Sequence, residues 1–116
     1  MKAGKELDAL IAEKVMGWKV AYYPTIDIFE AYDEERNPII LGKHFSPSTN
    51  ISDAWLVVEW LESNIGGISL ESHCDERRYS FRVFNGTHWI VARAETAPLA
   101  ICLAALKCVE GGNANE

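Results

Sequence analysis

The sequence predicts an α+β fold in which helices cover both faces of an antiparallel meander sheet. Two patterns support this prediction. Apolar residues recur with helical spacing near both ends and in the middle of the chain, whereas three short segments between residues 67 and 94 alternate apolar and polar residues. The predicted order is helix, hairpin or loop, helix, three strands, helix, within one domain that spans residues 1–116.

Residues 5–16 predict the first helix. Its charged residues are expected to lie mostly away from an apolar face, and they are Glu6, Asp8, Glu13 and Lys14. Gly17 is a suitable end for this helix, because glycine readily adopts the left-handed conformation found at many helix ends. The apolar face consists of Leu7, Leu10, Ile11 and Val15.

Residues 22–45 predict a variable insertion that forms either its own hairpin or a functional loop. Pro24 breaks regular structure after two tyrosines. In the hairpin alternative, segments 25–32 and 38–45 pair as strands on either side of a charged turn. A connection of this length without structure is uncommon in a compact domain.

Residues 50–64 predict the second helix, with Asn50 as its N-cap. An apolar stripe along this helix is expected to face the core, and its residues recur three or four positions apart. The stripe comprises Ile51, Ala54, Trp55, Val58 and Leu61, widened by Val57 and Trp60.

Three consecutive strands follow and are expected to pair as a meander. Asn85-Gly86 between the last two strands predicts a type I′ turn. The final strand has Trp89 and Val91 on one side and Ile90 on the other, so we expect helices on both faces of the sheet. The predicted strands are residues 67–72, 79–84 and 88–94.

The last helix is predicted at residues 96–112, because Thr96 can cap it, Pro98 fits its first turn and two glycines follow it. This helix is apolar on nearly every side. Such a helix must be covered around most of its circumference, so we expect it between the sheet and a further layer, or partly against another subunit. The sequence therefore also predicts a homo-oligomer.

Composition argues against several classes of protein. A net charge of −6 disfavours a general nucleic-acid binder, which needs a basic face to displace counterions. No apolar run approaches the roughly 18–20 residues that cross a bilayer, and no signal peptide is expected at the start. Three cysteines without framework spacing suit a reducing compartment. We expect a cytoplasmic protein that binds neither nucleic acid nor membrane.

No pattern in the sequence indicates catalysis or a metal site. The adjacent pair His73-Cys74 points its side chains apart on an extended chain, and the histidines lack the short spacing of zinc ligands. The acidic cluster at residues 27–35 is typical of a solvated hairpin tip, although paired carboxylates can also bind cations. We therefore expect a protein that is not an enzyme and holds no cofactor.

Three groups of residues are candidates for binding a ligand. Polar side chains precede the second helix, where free backbone N–H groups attract anions; the alternative is plain helix capping. Two arginines would neutralise a phosphate or pair across strands, and three tyrosines would stack on a base, contact a protein partner or join the core. The candidates are Ser48, Thr49, Asn50, Arg82, Arg93, Tyr22, Tyr23 and Tyr32.

Three blocks of the sequence together resemble a known family. They lie at residues 4–18, 45–55 and 96–106, whereas residues 22–44 fall outside the resemblance. The middle block reads Phe45-Ser46-Pro47-Ser48-Thr49-Asn50-Ile51, followed by Ala54-Trp55. These blocks resemble the phage ABA sandwich domain, a family of small phage and prophage proteins. The sequence departs from that family at Asn50, where aspartate is usual.

The resemblance implies a three-layer α/β/α sandwich and a phage origin. By analogy with small phage proteins that counter host defence, we expect a non-catalytic accessory protein that sequesters a small nucleotide-derived immune signal. The alternative is a protein-interaction module that blocks a host protein or serves phage assembly. In that case the acidic, aromatic segment 22–38 is the expected contact surface.

Overall fold

The computed structural model describes residues 1–73 and 78–110. They form three helices and two antiparallel three-stranded sheets. The helices are α1 (Lys5–Leu10), which continues into a π-helical turn (Ile11–Val15), α2 (Ile51–Asn64) and α3 (Ala97–Val109). The strands are β1 (Lys19–Tyr23), β2 (Ile28–Tyr32), β3 (Pro38–Ile40), β4 (Ile68–Ser72), β5 (Tyr79–Phe84) and β6 (Trp89–Ala94).

The first helix changes its geometry half-way along. In the π-helical turn the backbone hydrogen bonds span one more residue, so the Met16 N–H donates to the Ile11 carbonyl at 3.0 Å. Gly17 ends the helix with a φ of 76°. The Trp18 N–H then closes this end by donating to the Ala12 carbonyl at 2.9 Å. The predicted glycine end is confirmed.

Asp8 is buried, although the helical pattern places it away from the apolar face of α1. Only 1% of this residue is exposed. Its Oδ1 accepts a hydrogen bond of 2.9 Å from the Ser48 N–H and so ties α1 to the segment before α2. Helical periodicity does not reveal such a buried carboxylate, because its partner is 40 residues away in the sequence.

Residues 19–40 form a three-stranded meander with the order β1-β2-β3, and not a single hairpin. β2 and β3 fall within the two predicted strands and pair antiparallel. The sequence does not predict β1, because the segment from Tyr22 to Pro24 is expected to interrupt regular structure. In the structure, Tyr22 and Tyr23 instead pair with β2. Their aromatic side chains favour a strand, and Pro24 only ends it. That residues 22–45 are a variable insertion stays a prediction.

The second sheet confirms the predicted meander, with β5 between β4 and β6. Its last hairpin has a four-residue loop, 85–88, so the predicted type I′ turn at Asn85-Gly86 is wrong. That turn needs positive φ at both residues, and Gly86 has it (97°) whereas Asn85 does not. Instead, Asn85 Oδ1 accepts from the N–H groups of Thr87 at 2.9 Å and His88 at 3.0 Å.

The helices link the two sheets. α3 contacts β5 and β6 and also packs on α2 and the π-helical turn, while that turn and α1 contact β1 and β2. The α+β sandwich is confirmed, and α3 is buried as expected. Residues 111 and 112 lie outside the described residues, and the homo-oligomer stays a prediction. The buried residues of α3 are Ala100, Ile101, Cys102, Ala104, Ala105 and Leu106.

Two faces that were expected to be buried are exposed. Trp89 and Val91 of β6 are 44% and 38% exposed, because no described helix covers that face of the sheet. On α2, Ile51 and Trp55 are 49% and 45% exposed. Alternation shows which residues share a face but not which element covers it. The stripe of α2 that faces the core is narrower than predicted and comprises Ala54, Val57, Val58 and Leu61.

Candidate functional site

The three candidate tyrosines lie on two faces of the first sheet. Tyr22 lies on the same face as Val20 but is 48% exposed, with its ring 4.5 Å from that of Phe29. Tyr23 and Tyr32 face outward, and both hydroxyls donate to Glu30 Oε1, at 3.3 and 2.8 Å respectively. The structure therefore brings Tyr23 and Tyr32 together around one carboxylate and separates them from Tyr22.

Asp27 joins Tyr22 to α1 at the turn between β1 and β2. The Tyr22 hydroxyl donates to Asp27 Oδ1 at 2.8 Å, and the Lys5 ammonium donates to Asp27 Oδ2 at 2.6 Å. The hydrogen bonds from Lys5 and Tyr22 lower the pKa of Asp27. The bond between Tyr22 and Asp27 also raises the pKa of the Tyr22 phenol. The Tyr22 hydroxyl is thus engaged by a neighbouring side chain, although the residue is exposed.

Asn50 caps α2, and Asp53 of the first turn holds the segment before it. Asn50 Oδ1 accepts from the Asp53 N–H at 3.1 Å, and Asp53 Oδ2 accepts from the Ser46 N–H at 2.8 Å. Thr49 is exposed, and its hydroxyl lies 3.5 Å from the Ser46 carbonyl. An anion at this helix start would meet the Asp53 carboxylate, so the capping alternative accounts for the contacts of Asn50.

Ser48 is fully buried and links two distant segments. Its hydroxyl accepts from the Gly4 N–H at 3.0 Å and donates to the Gly4 carbonyl at 3.3 Å. The adjacent Asp8 has a raised pKa, because its burial outweighs the bonds that it receives from Ser48. These three residues form a hydrogen-bond network between α1 and the segment before α2, which we call the Gly4–Asp8–Ser48 network.

The candidate arginines lie on the exposed face of the second sheet. An Arg82 amine is 2.9 Å from Glu71 Oε1, and its guanidinium carbon lies 4.9 Å from the Trp89 ring centre. The Trp89 ring also contacts Phe84, with ring centres 5.2 Å apart. Arg93 is exposed on the same face. Cross-strand pairing therefore accounts for the terminal amine of Arg82 but not for its Nε, which is buried without a partner among the described residues. Both arginines belong to the second sheet, whereas the candidate tyrosines belong to the first.

An open pocket of about 450 Å³ lies where β1 begins and β2 ends. Tyr32 and the half-buried Trp18 supply aromatic surface, and Lys19 and Arg36 supply positive charge. Phe45 packs against Trp18, with ring centres 5.0 Å apart. The pocket therefore combines rings for stacking with cations for an anionic group.

The turn between β2 and β3 presents Arg36 at this pocket. Asp33 Oδ1 accepts from the N–H groups of Glu35 at 2.9 Å and Asn37 at 2.8 Å, which organises the turn. Arg36 adopts a left-handed φ of 64°, and its N–H donates to the Asp33 carbonyl at 3.0 Å. Glu34 also lines the pocket. Sequence patterns indicate Tyr32 but not Lys19 or Arg36, because basic residues beside aromatic ones are a weak signal.

The described cysteines are poor nucleophiles. Burial strongly raises the pKa of Cys102 and raises that of Cys108 to about 11. Cys74 lies outside the described residues, so its pairing with His73 has no structural account, and His73 Nε2 lies 2.9 Å from Ser80 Oγ. Among the described residues, no cluster of three or more His, Cys, Asp or Glu side chains could hold a metal ion.

Comparison with known protein families identifies the family of this chain. The family described as the phage ABA sandwich domain matches residues 9–106. The chain belongs to this family. The resemblance seen in the sequence is thereby confirmed, and the matched range includes both sheets and all of α2.

A phage protein of known structure has the same fold. It is a phage protein from Bacillus cereus ATCC 14579, whose 2.0 Å crystal structure is 28% identical in sequence to this chain, with a TM-score of 0.72. The similarity covers 91% of this chain and 90% of that one. No curated protein matches the chain. In the present chain, no helix among the described residues has both the length and the hydropathy that crossing a membrane requires.

Proposed function

We propose that this phage protein counters host antiviral defence by binding and sequestering a small nucleotide-derived immune signal without converting it. The observation that carries the proposal is the pocket at Trp18 and Tyr32. Its volume of about 450 Å³ falls within the range of small-molecule sites, roughly 300–1,000 Å³. Family membership supplies the phage context but not the ligand.

The lining of the pocket suits the parts of a nucleotide. The Tyr32 and Trp18 rings offer faces on which a base can stack. The Lys19 ammonium and the Arg36 guanidinium offer donors to a phosphate. Glu34 offers acceptors to ribose hydroxyls, whereas Asp33 Oδ1 is occupied by the turn. Binding and release of an intact ligand require no further group.

Calorimetric titration with cyclic oligonucleotides and ADP-ribose derivatives tests this proposal. We expect one of these compounds to release heat, and Arg36→Ala to weaken its binding at least about tenfold by removing a phosphate donor. Arg78→Ala removes an exposed arginine away from the pocket and is the matched control. The absence of heat with every compound at high protein concentration contradicts the proposal.

Two further measurements separate stacking from other effects and sequestration from catalysis. Tyr32→Phe retains the ring and loses only the bond to Glu30, so it should bind like the wild type, whereas Tyr32→Ala should bind more weakly. Heat denaturation of the complex should release the ligand with unchanged mass. A shifted product mass would instead identify an enzyme.

The exposed face of the first sheet favours the protein-interaction module as a second candidate. Tyr23 and Tyr32 are 44% and 42% exposed on this face, beside Glu30, and Ile26 in the adjoining turn is 63% exposed. Deletion of residues 22–38 would remove β2, so point variants are the sharper test.

Capture of host proteins on the immobilised protein tests this second candidate. The double variant Tyr23→Ala, Ile26→Ser should lose a partner that the wild type retains, because both changes remove exposed apolar area. Tyr23→Phe keeps that area and is the control. A partner that stays bound to the double variant shows that the contact surface lies elsewhere.

A further inference from the structure

β1 is an edge strand whose outer side has no strand partner among the described residues. In the order β1-β2-β3 it pairs with β2 only. Its residues are exposed, apart from the half-buried Val20. An open edge presents a row of backbone donors and acceptors to any other strand.

The other three edges of the two sheets are less available. On β6, the Lys107 ammonium donates to the Val91 carbonyl at 2.8 Å and so occupies part of that edge. β3 has three residues and begins with Pro38, which cannot donate a backbone bond. β4 carries the charged Glu71 inside the strand, which disfavours edge pairing. β1 has five residues, with one charge at its end.

We propose that β1 pairs antiparallel with β1 of a second copy, centred on Ala21, and joins two first sheets into one. This register places Lys19 opposite Tyr23 of the partner subunit, on the outward face. In each chain the Tyr23 hydroxyl bonds to Glu30 at 3.3 Å. Each Lys19 therefore meets an aromatic ring and a nearby carboxylate of the other copy, and both attract an ammonium group.

The complementarity favours a second copy over an unrelated strand. The two-fold register makes the lysine contact twice, once at each end of the paired strands. Ala21, the small residue at the centre, faces its own counterpart without crowding. This inference goes beyond the proposed ligand, because the pairing is a property of the unliganded protein and is measured without any nucleotide.

Cysteine cross-linking of the full chain, with Cys74 replaced by serine, tests the register. Directly opposed residues have Cα atoms about 4.5–5.5 Å apart, within the range of a disulfide. Ala21→Cys should therefore cross-link under mild oxidation. Lys19→Cys and Tyr23→Cys should each stay uncoupled, because two copies of one position lie roughly 13 Å apart along the strand, but a mixture of the two should cross-link.

The control for cross-linking is Leu70→Cys, at a comparably exposed position on the β4 edge, where we expect no dimer. A dimer through Leu70→Cys instead of Ala21→Cys overturns the choice of strand. Cross-linking of Lys19→Cys alone, without its mixture with Tyr23→Cys, overturns the register.

The mass in solution, measured by light scattering after size exclusion, tests the pairing without covalent chemistry. The wild type should reach twice the mass of the chain as its concentration rises. Ala21→Glu and Ala21→Lys should each remain monomeric, because like charges then face each other, and mixing the two should restore the dimer. This restoration also shows that both variants fold.

Ser63→Glu and Ser63→Lys, at an exposed position on α2, are the matched controls and should dimerise like the wild type. A wild type that stays monomeric at every concentration overturns the proposal. So does a dimer that Ala21→Glu leaves unchanged.

Discussion

Removal of the Ser48 hydroxyl should destabilise the protein, whereas removal of the neighbouring Thr49 hydroxyl should not. Ser48→Ala deletes an oxygen that accepts from the Gly4 N–H at 3.0 Å and donates to the Gly4 carbonyl at 3.3 Å. The side chain is fully buried, so water cannot replace the lost bonds. Thr49→Ala deletes only a 3.5 Å contact of an exposed hydroxyl.

The magnitude follows from the bonds lost. A hydrogen bond contributes about 0.5–1.5 kcal/mol net, and a buried group left without a partner costs about 1–3 kcal/mol. We therefore expect Ser48→Ala to lower the free energy of unfolding by about 1–3 kcal/mol. For a domain of this size, Tm should fall by about 3–5 °C for each kcal/mol. Thr49→Ala should stay within about 0.5 kcal/mol of the wild type.

Urea unfolding followed by circular dichroism measures both variants, and an unchanged denaturant slope keeps the comparison valid. Titration with a ligand found for the wild type completes the experiment. If Ser48→Ala matches Thr49→Ala in stability, the Gly4–Asp8–Ser48 network does not stabilise the fold. If Ser48→Ala loses ligand affinity at unchanged stability, Ser48 belongs to a binding site and the reasoning from its contacts is refuted.

Three further predictions concern Asp8, Gly17 and Cys108. Burial raises the pKa of Asp8 above its ordinary 3.8, so the native state holds this proton more tightly; stability should fall as pH rises from about 3.8 towards the native pKa, and Asp8→Asn should lack this slope in urea unfolding. Gly17→Ala places a side chain at φ 76° in open space and should cost about 1–2 kcal/mol, whereas Gly67→Ala, also in open space, should be nearly neutral. Cys108, with a pKa of about 11, should react with iodoacetamide at pH 8 at least about tenfold more slowly than a free thiol, and peptide mass mapping that shows rapid labelling would contradict this.

Local signals in the sequence are sufficient to predict most of the elements. The N-cap of α3 is an example, since Thr96 Oγ accepts from the Leu99 N–H at 3.3 Å. β5 begins and ends at the predicted residues because its alternation and the flanking turns are both local. β1 escapes prediction because it starts only two residues after Gly17 and has no turn signal of its own. The burial of Asp8 escapes because its cause is a contact between distant segments.

The candidate site is harder to predict than the fold, because its residues converge only through tertiary structure. Tyr32 and Lys19 are 13 positions apart yet lie directly opposite each other in the β1–β2 pair. Arg36 joins them only because the turn after β2 folds back. Ser48 and Asn50 have the residue types of an anion site, but the same types make caps, and no local pattern separates the two uses.

The π-helical turn at Ile11–Val15 bears on how this family can vary in length. Because the wide turn holds one residue more than an α-helical turn, it absorbs a single-residue insertion locally, and the flanking residues keep their faces. Leu7 before it and Val15 at its end are both buried, with 0% and 3% exposed. Removal of one solvent-facing residue there, such as Glu13, would return the segment to α-helical spacing. Chains that differ by one residue at this point are therefore compatible with the same core.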